Sequence, residues 1–521
     1  MKLGLTVSYI NPILISILIM FYQSKRLFTF FHKNSFVTKE AEKKLPLGFE
    51  IFDIDGVPAK EIGSFHQIIK AGDLNYLVVG KGKALNAYDK SLVAETKAKV
   101  ADWIINSGVR IDVSELEKVK AFARNMLNDR TDQETAEFFA YLIAHDTVGY
   151  GPISVLFDAS SELEEIEINS PTQPIRVYSS EFGDCQTNLR FTSEQAFRLG
   201  LNKLIYKAEK ELSSYNSIVD AQVENARIHA QIRPYAQSGG LATIRLRKKR
   251  IMSMPELMQK GTADAETLAY AWLAVECGMN VIVSGAPASG KTTLLNTLLY
   301  FVPAYHRTVI IEEDVNEIDA SNSLNNIVAL YGTKYGGVSI REQAINALRL
   351  RPDRLVIGEL RGEEARDVFA SANLGIPFMA TMHSNEGAYS ILKKLVTRPM
   401  EVDVKALSML DVAFYMKQSG ITDRRLYSGY EFKWLSRGET TLGIEIASSD
   451  KVDVSEVIKF GRLNEDYIEQ SKVIAAYAKK KDTSTKSALK ELARRKKFLE
   501  KLANSGAVDV YSGVQNYKAM L

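Results

Sequence analysis

Cysteine is nearly absent from this chain: among 521 residues there are two, Cys185 and Cys277. They lie too far apart for a CxxC half-site, so neither a zinc centre nor a disulfide framework is expected, and a reducing interior fits. Charge of one sign is lacking too. The formal net charge is +3, which gives no global electrostatic argument for a nucleic-acid partner. Internal repeats and low-complexity blocks are missing, which excludes solenoids and biased linkers. What is present is ordinary globular material. Hydrophobic residues make up 46% and charged residues 25%, so whole-chain disorder is excluded. The length suits two to four domains.

One uncharged run stands out, from Leu3 to Ser24, most apolar between Ile13 and Tyr22 and interrupted by Asn11-Pro12. Its length approaches that of a membrane span. Lys25, Arg26 and Lys33 follow, which would leave the remainder in the cytoplasm. Residues 1–34 are therefore expected to be a membrane anchor or an interfacial helix.

Residues 35–145 read as a largely helical accessory segment, with helical spacing in Val113–Leu127 and Thr135–Ile143. Residues 146–247 read as an α+β domain. Its strand-like runs are Ile166–Ile168, Ile175–Tyr178, Ile228–Ile232 and Leu241–Leu246, and a helix is expected over Ser193–Lys210. A linker is expected over 248–256, ending where Ser253 and Pro255 start a new helix. From 257 to 521, apolar strands alternate with helices, the pattern of an α/β domain with a mostly parallel sheet. Near its end, Thr483–Leu502 reads as a Lys/Arg-rich helix with a partial apolar stripe at Leu492, Leu499 and Leu502.

The strongest motif is Gly285-Ala286-Pro287-Ala288-Ser289-Gly290-Lys291-Thr292, followed by Thr293. It matches GxxxxGK[ST] and lies between a buried strand and a helix. Glycines let backbone N–H groups wrap a phosphate, and the helix N-terminus favours the negative charge. Lys291 is expected to reach the β- and γ-phosphates of ATP, and the Thr292 hydroxyl to ligate Mg²⁺.

Three further strand ends carry polar groups. The strand Thr308–Ile311 runs into Glu312 and Glu313, and Glu313 is the candidate for orienting an attacking water. The strand Leu355–Ile357 closes on Gly358-Glu359, a Walker B element whose acid would hold the metal or its water shell. The strand Phe378–Met382 ends at His383, placed to sense the γ-phosphate. Four successive strand ends carrying Lys291, Glu313, Glu359 and His383 describe a site.

With those residues quoted, the sequence resembles the secretion ATPase family of type II secretion, type IV pili, tight-adherence pili, type IV secretion and the archaellum. The segments that carry the likeness are GAPASGKTT, IIEEDVNEI, LRLRPDRLVIGELRGEEARD and ATMHSN, with HDTVGYGPISVLF, LEEIEINSP, ARIHAQIRP and LATIRLRK upstream. The likeness runs from about residue 145 to the C-terminus and leans toward the archaeal and tight-adherence branch. It implies a RecA-like P-loop core preceded by an α+β N-terminal domain and a small helical segment. It implies an ATPase, with Arg227 and Arg245 reaching the nucleotide phosphates. It implies a homohexamer on the cytoplasmic face of a membrane, acting on a polytopic platform protein and through it on pilin-like subunits, with no nucleic acid and no zinc. Gly375-Ile376-Pro377 stands where the family usually has Gly-His, so a second histidine contact is missing. The rival classes are a RecA-like nucleic-acid translocase, which would need a basic groove with stacking aromatics, and a non-catalytic nucleotide-binding scaffold.

Overall fold

The computed structural model describes residues 44–519, apart from 180, 224–225, 247–251, 314–317, 319–325, 333–336, 421–422, 435–443, 448–449 and 506–509. The expected span over 3–24 and half of the expected linker lie outside the described residues. No helix among the described residues is long and apolar enough to cross a membrane. The chain divides into two units, Met1–Lys248 and Lys249–Leu521.

The first unit opens with β1 (Phe49–Ile51), β2 (Val57–Ile62), β3 (His66–Ala71) and β4 (Leu74–Val79). Three helices follow: α1 (Ala87–Ser107), α2 (Leu116–Leu127) and α3 (Gln133–Thr147). An Asn86–Asp89 capping box starts α1, and the Asp132 side chain caps α3, each satisfying N–H groups that a helix start leaves open. After the short α4 (Pro152–Phe157) come β5 (Leu163–Ile168), β6 (Arg176–Ser179), β7 (Gly183–Thr187), β8 (Leu189–Phe191), α5 (Glu194–Ile205), β9 (Ile218–Val223), β10 (Ala226–Ile232) and β11 (Gly240–Leu246).

Here the structure departs from a largely helical reading of 35–145. Residues 49–79 form four strands, and three of them belong to the same sheet as the α+β segment. The strand order is β2-β3-β4-β7-β6-β5-β11-β10-β9, with a parallel seam where β4 meets β7. β2 is an edge strand whose residues are mostly exposed, so it shows no alternation for a sequence reader to find. One hydrophobic core joins the accessory elements to the rest, with Leu77, Val100 and Phe139 in the same cluster as Ile166 and Ile228.

The second unit begins with α6 (Met254–Gln259), started by a Ser253–Glu256 capping box, and α7 (Ala265–Glu276), which is apolar and buried around nearly its whole circumference. The alternating pattern then appears: β12 (Val281–Gly285), α8 (Lys291–Leu299), β13 (Thr308–Glu313), β14 (Ile327–Gly332), α9 (Ile340–Leu348), β15 (Arg354–Leu360), α10 (Glu364–Asn373), β16 (Phe378–His383), α11 (Ala388–Val396), α12 (Val404–Leu407) and β17 (Val412–Ser419). The end of the chain adds β18 (Asp423–Trp434), β19 (Ile444–Ala447), β20 (Asp450–Lys459), β21 (Arg462–Leu463), α13 (Glu465–Ile468), α14 (Lys472–Lys480), α15 (Thr485–Asn504) and α16 (Val510–Ala519).

The sheet order is β14-β13-β15-β16-β12-β17-β18-β20-β19. From β14 to β17 every pairing is parallel, and from β17 onward every pairing is antiparallel. This is a RecA-like P-loop core with an antiparallel extension. The central strands are buried on both faces, as a sheet covered by helices requires. Helix α15 lays Leu492, Leu499 and Leu502 into the core beside α7, as its partial stripe suggests.

Candidate functional site

The strand order decides which polar groups meet. β16 lies between β12 and β15, so His383 at its end must stand between the loop after β12 and the acid on β15. Gly285 and His383 are direct register partners.

The loop from Gly285 to Gly290 turns on three residues of positive φ: Gly285 at 147°, Ala288 at 57° and Gly290 at 92°. At Gly285 a Cβ would lie 2.3 Å from the Met416 carbonyl oxygen and 2.7 Å from Ser289 Oγ, so only glycine fits. Ala286, Pro287 and Ala288 form the exposed rim, while Ser289 is buried and bonds back to the Ala286 carbonyl at 2.8 Å. Ala288 is an alanine in left-handed conformation, a local strain of the kind that gathers at functional loops. Lys291, Thr292 and Thr293 open α8, whose first N–H groups face the loop.

The Lys291 side chain is mostly buried. Its ammonium donates to the Ala286 carbonyl at 2.7 Å and lies 3.1 Å from His383 Nδ1. On the other side of the ring, His383 Nε2 lies 3.3 Å from Glu359 Oε1. Arg361 then joins two acids, donating to Glu359 Oε2 at 2.5 Å and to Glu313 Oε2 at 3.0 Å. The four predicted strand-end groups, Lys291, His383, Glu359 and Glu313, are thus joined with Arg361 into one connected row. Glu312, next to Glu313, turns inward and accepts the Ile318 backbone N–H at 2.9 Å. The rest of that acidic segment, 314–317, lies outside the described residues.

The electrostatics follow from the row. Burial pushes the Glu359 carboxyl up, but the Arg361 hydrogen bond and the charges of Arg361, His383 and Lys291 outweigh it, and the net shift is downward. Glu359 stays ionised. His383 is held below the ordinary histidine value, chiefly by burial, with Lys291 adding to the shift and Glu359 opposing it.

The residues fit a nucleotide with a divalent cation. Glu359 Oε1 is buried and, although His383 Nε2 lies 3.3 Å away, accepts no hydrogen bond from the described residues, so it keeps acceptor capacity beside the loop. Thr292 and Glu359 are hard-oxygen donors suited to Mg²⁺, and the glycine-built turn brings backbone close to a phosphate.

Arg227 and Arg245 belong to the first unit. They are direct cross-strand partners on β10 and β11, so the two cations stand side by side on one face. The next residue in that row is Glu165 on β5, whose carboxyl burial and Glu167 push up and Arg245 pulls down. Like charges placed opposite one another cost stability.

Sequence reasoning missed three contributors. Arg361 follows Glu359 by two residues, which places it past the strand end with its head free to reach Glu313, but that reach depends on β13 lying next to β15. Met416 on β17 closes the floor under Gly285, and Arg424 on β18 lies 3.8 Å from where a Gly290 Cβ would be. Neither carries a local signal, because their approach depends on the β17–β18 hairpin.

The family described as "Type II/IV secretion system protein" matches residues 172–497. An uncharacterized protein of Methanocaldococcus jannaschii is 26% identical over 404 residues, covering 76% of this chain and 71% of its own. The type IV secretion system protein PtlH of Bordetella pertussis is 34% identical over 174 residues, covering 29% of this chain and 51% of its own, so about half of that relative is spanned. Among solved structures, the ATPase DotB of Yersinia pseudotuberculosis is 15% identical, with 70% of this chain and 92% of that one covered and a TM-score of 0.40.

Proposed function

Since the chain belongs to the type II/IV secretion system protein family, we propose that it is an ATPase that turns Mg-ATP hydrolysis into mechanical work. The work assembles a type IV pilus-like or archaellum-like filament, or drives type II-like secretion. The observation that carries the reading is the unbroken row from Lys291 through His383, Glu359 and Arg361 to Glu313 beside a glycine-built phosphate loop.

Each residue has a distinct task. Backbone N–H groups of Gly285–Thr293 and the Lys291 ammonium bind the phosphates. Thr292 and Glu359 hold Mg²⁺ and its waters, and the cation supplies charge neutralisation where negative charge develops. Glu313 orients the attacking water. Arg361 donates to both acids and fixes the distance between them. His383 contacts the lysine that binds the terminal phosphate, so loss of that phosphate is felt at Glu359. Arg227 and Arg245, register partners on β10 and β11, supply positive charge to the nucleotide phosphates. Because phosphoryl transfer is mainly positioning and charge stabilisation, this set suffices. The working form is a homohexamer on the cytoplasmic face of a membrane, passing its motion to a polytopic platform protein and through it to pilin-like subunits.

The test is Mg-ATP turnover on size-separated protein. Lys291→Ala is expected to abolish turnover and nucleotide binding. Glu359→Gln is expected to keep binding and to slow hydrolysis on the order of a hundredfold. Activity in a hexamer-sized fraction supports the motor. Wild-type turnover by Glu359→Gln would remove the metal-shell role, and binding without turnover in the wild type would leave a scaffold.

A further inference from the structure

Helix α15 has a second face that neither the core nor the nucleotide site uses. Lys486, Lys490, Arg494, Lys497 and Lys501 are all exposed. At 100° per residue they fall within about 80° of arc, and at 1.5 Å per residue they run for about 22 Å. The opposite side is the buried one, with Leu492, Arg495, Leu499 and Leu502 packed inward.

An exposed helix face in water normally mixes signs, since like charges at i,i+4 cost stability. Here only Glu500 is an exposed acid, and it lies on the flank. Of the five cations only Arg494 has an ion-pair partner among the described residues, Glu491 at 3.7 Å. The neighbouring cation Lys496, off the stripe, pairs with Glu266 at 3.2 Å. Lys486, Lys490, Lys497 and Lys501 thus form a column of repelling charges with no acid partner among the described residues.

We propose that this stripe is an electrostatic docking surface for an anionic bilayer. The unneutralised charge calls for an anionic surface, and two features bear on which. The aromatics of α14 and α15, Tyr477 and Phe498, are turned into the core, where Phe498 packs 4.6 Å from Tyr517, so no ring is presented for stacking bases. The apolar side of α15 is committed to the core, so attachment is by charge alone and does not insert. The inference stands independently of the nucleotide chemistry.

The experiment uses the full chain and vesicle flotation. Neutral phosphatidylcholine vesicles are compared with vesicles holding about 30% phosphatidylserine, at about 0.1 M and about 0.5 M salt. A duplex DNA fragment serves as a competing polyanion. The triple variant Lys486→Gln, Lys490→Gln, Lys497→Gln is compared with the corresponding Lys→Arg triple. Each cation near an anionic surface is worth about fivefold in affinity, so the Gln triple is expected to lose on the order of a hundredfold. The Arg triple should bind as wild type does, high salt should release both, and ATP turnover without vesicles should be unchanged in all. Equal binding to neutral and anionic vesicles overturns the proposal, as does undiminished binding by the Gln triple or loss of binding by the Arg triple. Preference for DNA over the vesicles would reassign the stripe to nucleic acid.

Discussion

At the scale of single residues, the site depends on atoms that have no room to move. Gly285 is the sharpest case. A methyl group there would overlap the Met416 carbonyl at 2.3 Å, and its φ of 147° is one that side chains rarely adopt. Gly285→Ala is therefore expected to displace the loop and raise the Kd for nucleotide at least tenfold, a cost of about 1.4 kcal/mol, while leaving far-UV circular dichroism unchanged. Titration with a fluorescent nucleotide checks it, and wild-type affinity would show that the loop yields more easily than its neighbours suggest. The phosphate loop was plain in the sequence, since its residue types are dictated by the turn itself. Glu359 and His383 were visible as strand-end groups. Arg361 was not, because its meaning comes from reaching an acid 48 residues away.

At the scale of elements, the end of α7 shows how the second unit is fastened. The C-terminal carbonyls of a helix carry partial negative charge. Arg354 from β15 donates to Val275 O at 2.7 Å, and Lys480 from α14 bonds Glu276 O. Arg495 from α15 meets Glu276 at 2.8 Å and Glu491 at 3.0 Å, and lies 4.5 Å over the Trp272 ring. Arg495 is fully buried, so its removal takes the shortest ion pair from each of two buried acids, leaving Glu491 with Arg494 and Glu276 with Lys481, both at 3.7 Å. Arg495→Met is expected to destabilise the protein by about 3–5 kcal/mol, read as a lower urea midpoint. Adding Glu491→Gln to that variant should recover part of the loss. A change below about 1 kcal/mol would mean the cluster contributes little beyond what surface pairs do. None of this could be read from the sequence, where α15 shows only a basic helix with a partial leucine stripe. The start of α6 at Ser253 and Pro255, and the parallel strands β12, β13, β15 and β16, were legible because their signals are local. β1 to β4 were not, since an edge strand and a parallel seam leave no period in the residues themselves.

At the scale of the whole molecule, buried histidines set the acid limit. Burial pushes His66 down to about 4, against the opposing charge of Asp158, with His145 and Tyr141 packed in the same cluster. His306 is also pushed down to about 4 by burial and by Arg354. Their folded values lie below the unfolded value near 6.5, so the unfolded chain takes up protons first. Stability is then full above about pH 6.5 and is lost as pH falls toward 4, at up to about 1.4 kcal/mol per pH unit for each group. His66→Gln should flatten the fall of the urea midpoint between pH 6.5 and 4, and an unchanged slope would show that His66 titrates normally. The same scale shows what the parallel seam between β4 and β7 entails. The family model's match starts at residue 172, after β5, yet β5 is an inner strand with β6 on one side and β11 on the other. A chain trimmed to 172–497 would leave those two strands facing a gap, and at its far end would lose Leu499 and Leu502 from the core. The bounds of a sequence match and of a folding unit fall at different places here, and the residues ahead of 172 are part of what holds the first sheet together.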